Sequence, residues 1–368
     1  MDKEKVLEKL KTITYPGFSR DIVSFGMVKD ILIENRNIEI NVNISSQNED
    51  KKKLVVNEIE KTLSNDFSLV KVNLISDLQK NPVPGGGSSA KPILPGVKNI
   101  VAVASGKGGV GKSTVAAHLA CSLSEAGKNV GLLDLDIYGP SLPIIFDLNE
   151  QPKMTQENKL VPLEKFGIKI MSFGFISGNE TPVIWRGPLV SRMTEQFFRD
   201  VEWGELDILI LDLPPGTGDI QLTLTQKLRM TGAIIVTTPQ DIALADVRKG
   251  ADMFRKVNTP VLGVIENMSG LVLTGSADSK NANIQIDGSK VEIDDEGNFK
   301  LNIDLFKSGG GDMESERLGV PLLGKIPISK KLMLATDNGE PLIIKDRKDK
   351  VSEIYIDISN QILSIIDE

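Results

Sequence analysis

Short apolar runs alternate with helical stretches from residue 98 onward. The apolar runs have the length of buried strands and occur at 99–104, 129–135, 207–213, 233–237 and 261–265. The stretch at 113–126 is rich in helix-forming residues, and apolar residues recur at helical spacing over 351–366. Strands that alternate with helices in this way predict a mostly parallel sheet flanked by helices, an α/β fold.

Residues 1–80 have the pattern of a separate, small α/β domain. Helical spacing is present at 6–10 and 53–63. Apolar and polar positions alternate over 31–44 and over 69–74, which predicts one strand in each segment. This N-terminal domain therefore precedes the larger α/β domain in the chain.

Two further segments complete the predicted organisation. The stretch NPVPGGGSSAKPILPG is rich in proline, glycine and serine, which is typical of a linker and places one at 81–97. Residues 274–303 are polar and turn-rich, with Asp287-Gly288 between two β-like runs. We therefore predict that the larger domain spans 98–368 and carries a β-hairpin-like insertion near 274–303.

A glycine-rich segment follows the first strand of the larger domain. It reads SGKGGVGKST over 105–114 and fits the pattern G-x-x-x-x-G-K-[ST]. Glycines let backbone N–H groups converge on a polyanion, Lys112 reaches the β- and γ-phosphates, and the Ser113 hydroxyl binds Mg²⁺. We predict an ATP-binding P-loop formed by Gly106, Lys107, Gly108, Gly109, Val110, Gly111, Lys112, Ser113 and Thr114.

Acidic side chains end two of the predicted strands. Asp134 and Asp136 follow the strand at 129–135, and Asp212 ends the strand DILILD. Ligands of open α/β sheets bind at the carboxyl ends of the strands. A carboxylate there can orient an attacking water or hold Mg²⁺ through its water shell. We expect Asp212 to hold Mg²⁺ through its water shell. Simple turn chemistry is the alternative for the pair Asp134 and Asp136.

Three other side chains are candidates for chemistry. Asn267 follows the strand at 261–265, and its amide has the donor and the acceptor needed to read the edge of adenine. His118 and Cys121 are the only histidine and the only cysteine, and both lie on the helix after the P-loop. We expect them to be packed in the core, and a two-ligand metal site is the alternative.

Charge and hydropathy exclude several classes of protein. A net charge of −7 argues against a broad nucleic-acid-binding surface. No apolar run is long enough to span a bilayer, and the first ten residues have no apolar signal core. The acidic polar face of the helix at 351–366 favours packing against the core over binding to a membrane. These features, with a single cysteine, predict a cytoplasmic location.

Seven motifs occur in a fixed order along the larger domain. They are SGKGGVGKST, LLDLDIYGPS, WRGP at 185–188, DLPPGTGD, TTPQ at 237–240, ENMS at 266–269 and GVPLLGKIP at 319–327. Together they closely resemble the Mrp/ApbC family of iron–sulfur cluster carrier ATPases, within the deviant-Walker-A group that includes MinD, ParA and nitrogenase iron protein. The resemblance covers nearly all of 98–345 apart from the insertion, and residues 1–80 resemble the small domain that precedes the ATPase in many members.

The resemblance implies a P-loop NTPase fold and a homodimeric ATPase that assembles iron–sulfur clusters or transfers them to apoproteins. Lys107 is expected to reach the nucleotide of the partner subunit, where a cation stabilises charge on the transferring phosphoryl group. Asp136 is expected to orient the attacking water, and Asp134 and Asp212 to support Mg²⁺ beside Ser113. Lys107, Lys112 and Asp136 are therefore the expected catalytic residues, and apoprotein clients or cluster-assembly proteins the expected partners.

The chain departs from the family at the cluster site. Members that carry clusters usually have a C-x-x-C shortly after the ENMS element, whereas residues 270–275 read GLVLTG. A dimer offers at most two thiolates, both from Cys121, where a cluster usually takes four. A cluster is thus implied by resemblance only, without identifiable ligands.

One alternative is an ATP-switched, ParA/MinD-type module whose insertion binds a protein partner. A small-molecule kinase is disfavoured by Lys107 and the Asp134/Asp136 pair.

Overall fold

The chain divides into two compact units, one formed chiefly by residues 1–90 and the other chiefly by residues 91–366. A computed structural model describes residues 3–14, 21–23, 27–34, 36–42, 49–74, 94–137, 139–177, 194, 196–216, 221, 228–257, 259–279, 282–286, 289–306 and 308–367. Most of the predicted linker, the WRGP motif, the end of the DLPPGTGD loop and the Asp287-Gly288 turn lie outside these residues.

The described residues of the small unit form two helices and a three-stranded sheet. Its elements are α1 (Lys3–Leu10), β1 (Val28–Glu34), β2 (Asn37–Val42), α2 (Glu49–Leu63) and β3 (Leu69–Leu74). The strand order is β1-β2-β3, with β1 antiparallel to β2 and β2 parallel to β3. Apolar residues of both helices and of one face of the sheet form its core, including Val6, Leu10, Ile40 and Ile59.

The prediction of one strand over 31–44 is wrong, because the chain reverses within it. Glu34 of β1 lies opposite Asn37 of β2, and residues 34–37 read ENRN. Polar residues of this kind favour a turn. The alternation of apolar and polar positions continues on both sides, so Ile31 pairs with Ile40 and both face the core. Periodicity alone does not reveal such a reversal.

The larger unit alternates strands and helices, as predicted. Its elements are β4 (Val97–Ser105), α3 (Lys112–Glu125), β5 (Val130–Asp134), α4 (Leu142–Ile145), β6 (Leu163–Lys165), β7 (Ile168–Ser172), α5 (Gly174–Ser177), β8 (Leu206–Asp212), β9 (Gly232–Thr237), α6 (Asp241–Lys256), β10 (Val261–Ser276), β11 (Gln285–Ile286), β12 (Ser289–Lys290), β13 (Asn298–Ile303), α7 (Gly310–Leu318), β14 (Leu322–Ile328), α8 (Lys330–Asp337), α9 (Leu342–Lys345) and α10 (Lys350–Asp367).

These strands form a nine-stranded sheet in the order β13-β10-β9-β4-β8-β5-β7-β6, with β14 also paired to β10. The seven central strands are parallel, and the edge strands β13 and β6 are antiparallel to their neighbours. Parallel strands are covered on both faces, which explains why β8 and β9 read as continuous apolar runs. The predicted α/β fold with a mostly parallel sheet is therefore confirmed.

The predicted insertion forms a two-stranded antiparallel ribbon that extends a strand of the central sheet. Strand β10 continues beyond the sheet to Ser276 and pairs with β13, and β11 and β12 form a small hairpin between them. The register places Leu273 opposite Leu301 and Gly275 opposite Phe299 on one face. The other face is more polar, with Thr274 opposite Lys300.

The C-terminal helix α10 packs against the core, as its acidic polar face predicts. Val351, Tyr355, Ile358 and Ile362 are buried within the main apolar cluster. Among the helices that the structure describes, none has the length and apolar character needed to cross a lipid bilayer.

His118 and Cys121 are core residues of α3. His118 donates from Nδ1 to the Thr114 carbonyl at 2.9 Å and accepts at Nε2 from the Leu342 N–H at 3.0 Å. Its ring stacks on Tyr355, with 4.9 Å between the ring centroids. Burial lowers the pKa of His118 to about 4 and raises the pKa of the Cys121 thiol. Over the described residues, no group of three or more His, Cys, Asp or Glu side chains is arranged to hold a metal ion.

We expect His118 to make the protein lose stability in mild acid. The folded pKa of about 4 is below the ordinary value of 6.5, so the unfolded chain binds more protons between these values. The contribution of neutral His118 to the free energy of unfolding is complete above about pH 6.5 and is lost as the pH falls towards about 4. The difference in unfolding free energy between wild type and His118→Gln should shrink by up to about 1.4 kcal/mol per pH unit in this window, measured by urea unfolding. A difference independent of pH would contradict this assignment.

Candidate functional site

Strand-end residues of the central sheet meet at one edge of the larger unit. Strand β4 ends at Ser105, next to β8, and β8 lies beside β5. The register of β5 and β8 places Asp134 directly opposite Asp212. The predicted P-loop lies between β4 and α3, so it has the strand-loop-helix context that a phosphate site requires. The edge thus brings together the loop and the acids that the sequence singled out.

The P-loop needs glycine for two different reasons. Gly109 and Gly111 have φ of 79° and 78°, and Gly111 is the N-cap of α3. These left-handed conformations favour glycine. Gly106 is required by close approach, because a Cβ there would lie 2.3 Å from the carbonyl carbon of Asp246 and 2.5 Å from the Val247 nitrogen. The loop backbone therefore rests directly on the backbone of α6.

Lys112 and Asp212 form a buried ion pair at the centre of the site. The side chain of Lys112 is 6% exposed and that of Asp212 is fully buried, and Lys112 Nζ contacts Asp212 Oδ1. The second carboxylate oxygen, Oδ2, is buried and has no hydrogen-bond partner among the described residues. A buried charged oxygen is costly unless it is paired, so this oxygen marks a place for a further ligand. Carboxylate and hydroxyl oxygens at Asp212 and Ser113 are a donor set that fits Mg²⁺.

Asp134 organises the loop that contains Asp136. Its buried carboxylate accepts from the Asp136 N–H at 3.0 Å, the Ser141 N–H at 3.2 Å and the Ser172 hydroxyl at 3.0 Å. Burial first, and then the nearby charge of Asp212, raise the pKa of Asp134 to about 7 despite these hydrogen bonds. Asp136 itself is only half-buried. Asp134 and Asp136 therefore have different environments although they are two residues apart.

Lys107 and Asn267 also lie at the P-loop. Lys107 Nζ donates to Oε1 of Gln240 at 3.0 Å within the same chain. Asn267 donates from Nδ2 to the Val110 carbonyl at 2.8 Å, and a Cβ at Gly111 would lie 2.3 Å from the same nitrogen. The structure thus places Asn267 against the loop, and its role at adenine stays a prediction.

Three residues of the site were not singled out from the sequence. Gln240 was noted only within the TTPQ motif, although it contacts Lys107. Ser172 holds Asp134, and its position at the carboxyl end of β7 was the available signal. Glu266, fully buried, accepts from the Ser269 hydroxyl and from the Gly311 N–H at the start of α7, both at 2.5 Å. It ties β10, at the position next to Asn267, to the start of α7.

A glycine-rich loop between a parallel strand and a helix, with a lysine paired to a strand-end aspartate, defines a P-loop nucleotide-binding protein. Comparison with family models refines this class. The chain belongs to the ParA family of NUBPL iron-transfer P-loop NTPases, whose model matches residues 96–301 and 296–363. A second model, for an iron–sulfur cluster assembly protein, matches residues 3–73.

Individual relatives support the same assignment. An iron–sulfur cluster carrier protein of Aquifex aeolicus is 44% identical over 276 residues, which cover 74% of this chain and 70% of the relative. A protein of the same name from Synechocystis is 36% identical over 366 residues, 98% of this chain and 96% of the relative. The solved structure of a nucleotide-binding protein from Archaeoglobus fulgidus in complex with ADP is 33% identical, with a TM-score of 0.53 over 70% of this chain and 92% of that one. The resemblance inferred from the ordered motifs is confirmed.

We expect Gly106→Ala to destabilise the P-loop and Gly108→Ala to be tolerated. The Cβ at 106 would clash with the backbone of α6, whereas the heavy atom nearest to a Cβ at 108 is Cγ of Pro215 at 4.0 Å. Gly106→Ala should lower the free energy of unfolding by about 1–3 kcal/mol, and Gly108→Ala by less than about 0.5 kcal/mol, as measured by urea unfolding. Equal losses in the two variants would show that α6 does not constrain the loop.

Proposed function

We propose that this protein is a slow, dimer-coupled ATPase that acts in the assembly of iron–sulfur clusters or in their transfer to apoproteins. The observation that carries the ATPase proposal is the Lys112–Asp212 pair at the mouth of the P-loop, beside Asp134. Membership of an iron-transfer family, and relatives named iron–sulfur cluster carrier proteins, support the cluster proposal.

In this proposal the P-loop of residues 106–114 holds the phosphates of ATP. The N–H groups of the loop and the start of α3 face the phosphates, and Lys112 exchanges its contact with Asp212 for the β- and γ-phosphates. Ser113, Asp134 and Asp212 would hold Mg²⁺, partly through water. The ion would neutralise part of the negative charge of the phosphates. The unpartnered Oδ2 of Asp212 supports this assignment.

Asp136 is the proposed water-orienting residue. It is half-buried, and its backbone N–H donates to the Asp134 carboxylate. Lys107 supplies a cation to the nucleotide of the partner subunit, which couples hydrolysis to closure of the dimer. Asn267 uses one amide hydrogen on Val110 and keeps a second donor and an acceptor for the adenine edge.

The cluster is cargo in this proposal, and its ligands come from another protein. Cys121 is the only cysteine of the chain and is buried in α3. Burial raises the pKa of its thiol, which opposes formation of the thiolate that binds iron. We therefore assign the thiols to an assembly partner or an apoprotein client. A cytoplasmic location is part of the proposal, because a chain with one buried thiol suits a reducing compartment.

Lys112→Ala and Lys107→Ala should separate nucleotide binding from hydrolysis. Lys112→Ala should abolish binding of a fluorescent ATP analogue, because the loop loses its direct phosphate contact. Lys107→Ala should keep single-subunit nucleotide affinity within about twofold and lose turnover at least about a hundredfold, because it removes the cation that acts on the nucleotide of the partner subunit. Phosphate release reports turnover. Wild-type turnover in Lys107→Ala would exclude the role of Lys107 in trans.

Anaerobic reconstitution with iron and sulfide should test the origin of the thiols. We expect the protein alone to retain no stoichiometric iron, and Cys121→Ala to behave identically, because Cys121 is buried. With a cysteine-bearing apo-ferredoxin as client, cluster formation on the client should be faster with ATP than without it. Absorption spectra and iron analysis measure both steps. A stoichiometric cluster on the protein alone would contradict the assignment of thiols to a partner, and no effect of ATP would contradict the cluster function.

A further inference from the structure

The side chain of Lys107 is held by its own subunit. Its Nζ donates to Oε1 of Gln240 at 3.0 Å, and both residues are half-buried. The main chain of Lys107 is also fixed, since its carbonyl accepts from the Ser105 hydroxyl at 3.0 Å. The ammonium group therefore has a defined position in the single subunit.

Gln240 is placed to serve Lys107 and not the helix that follows it. It is the N-cap residue of α6, with φ of −69° and ψ of 133°. Ser, Thr, Asp and Asn are preferred at this position because their side chains cap the helix. The side chain of Gln240 makes no such capping bond. Its amide oxygen instead accepts from Lys107.

Helix α6 holds the P-loop at two points. Gly106 rests on the backbone of the helix at Asp246 and Val247, and Gln240 holds Lys107 at its N-terminal end. The backbone of the loop and the ammonium group of Lys107 are thus both held by helix α6. Among the described residues, Gln240 is the side chain that accepts from Lys107 Nζ, so this hydrogen bond has to break before the ammonium group can reach a phosphate of another subunit.

We infer that Gln240 is a positioning residue that holds Lys107 against its own subunit until a partner subunit with bound nucleotide takes the ammonium group. The inference rests on the proposed role of Lys107 in trans. An amide is neutral, so a polyphosphate displaces it from the lysine readily. A carboxylate at the same position would form an ion pair and compete with the phosphates. The uncharged side chain at position 240 therefore makes the contact reversible.

Gln240→Glu and Gln240→Leu test the inference in opposite directions. Gln240→Glu should hold Lys107 in an ion pair, lower kcat at least about tenfold and raise the protein concentration at half-maximal turnover. The nucleotide affinity of the single subunit should stay within about twofold of wild type. Gln240→Leu keeps a side chain of similar size without the acceptor and should lower that protein concentration. Gln151→Glu adds the same charge at an exposed glutamine and is the matched control. Wild-type kinetics in Gln240→Glu would overturn the inference.

Lys107→Ala separates this inference from the proposed function. Dimerisation with a non-hydrolysable ATP analogue, measured by light scattering, allows a double-mutant cycle even when turnover is lost. Gln240→Glu should weaken the dimer when Lys107 is present and have no effect when residue 107 is alanine. Equal weakening in both backgrounds would overturn the role of Gln240. Full turnover in Lys107→Ala would instead refute the role of Lys107 in trans, whatever the result at Gln240.

Discussion

The buried pair of Lys112 and Asp212 is the contact on which the site depends. It joins the first turn of α3 to the end of β8, and both side chains are almost fully removed from water. Burial of either charge alone would cost several kcal/mol, so each residue requires the other or an equivalent ligand. The P-loop lysine is therefore held at the carboxyl edge of the sheet. Asp134 lies directly across from Asp212, which helps to raise its pKa to about 7.

Helix α6 and strand β10 both contact the P-loop that leads to Lys112. Helix α6 supports Gly106 and holds Lys107 through Gln240. Strand β10 contacts the loop at Asn267 and then continues into the ribbon with β13. A displacement of the P-loop would therefore act on α6 and β10 directly. Glu266, which lies within β10 and accepts from the N–H at the start of α7, ties β10 to a third element.

The chain has a P-loop, as its family match implies, and lacks the cysteines that the resemblance leads us to expect of a cluster carrier. Its relatives are named iron–sulfur cluster carrier proteins, and the larger unit matches an iron-transfer NTPase model along most of its length. Where the resemblance leads us to expect a C-x-x-C, the chain has GLVLTG at 270–275, and residues 271–275 of this segment pair with β13. Backbone pairing with β13 thus occupies the segment that follows ENMS.

Local physics explains which parts of this protein were predictable. Continuous apolar runs, the glycine spacing at 106–111 and the strand-end acids are properties of short segments, so the sequence alone determined the parallel sheet, the P-loop and the acidic edge. The reversal within 31–44 was missed because alternation continues through the turn. The contact of Lys107 with Gln240 joins residues 133 positions apart, and Gly106 is required by the backbone of α6. Only the tertiary structure decides such contacts, because they depend on which elements the sheet order brings together.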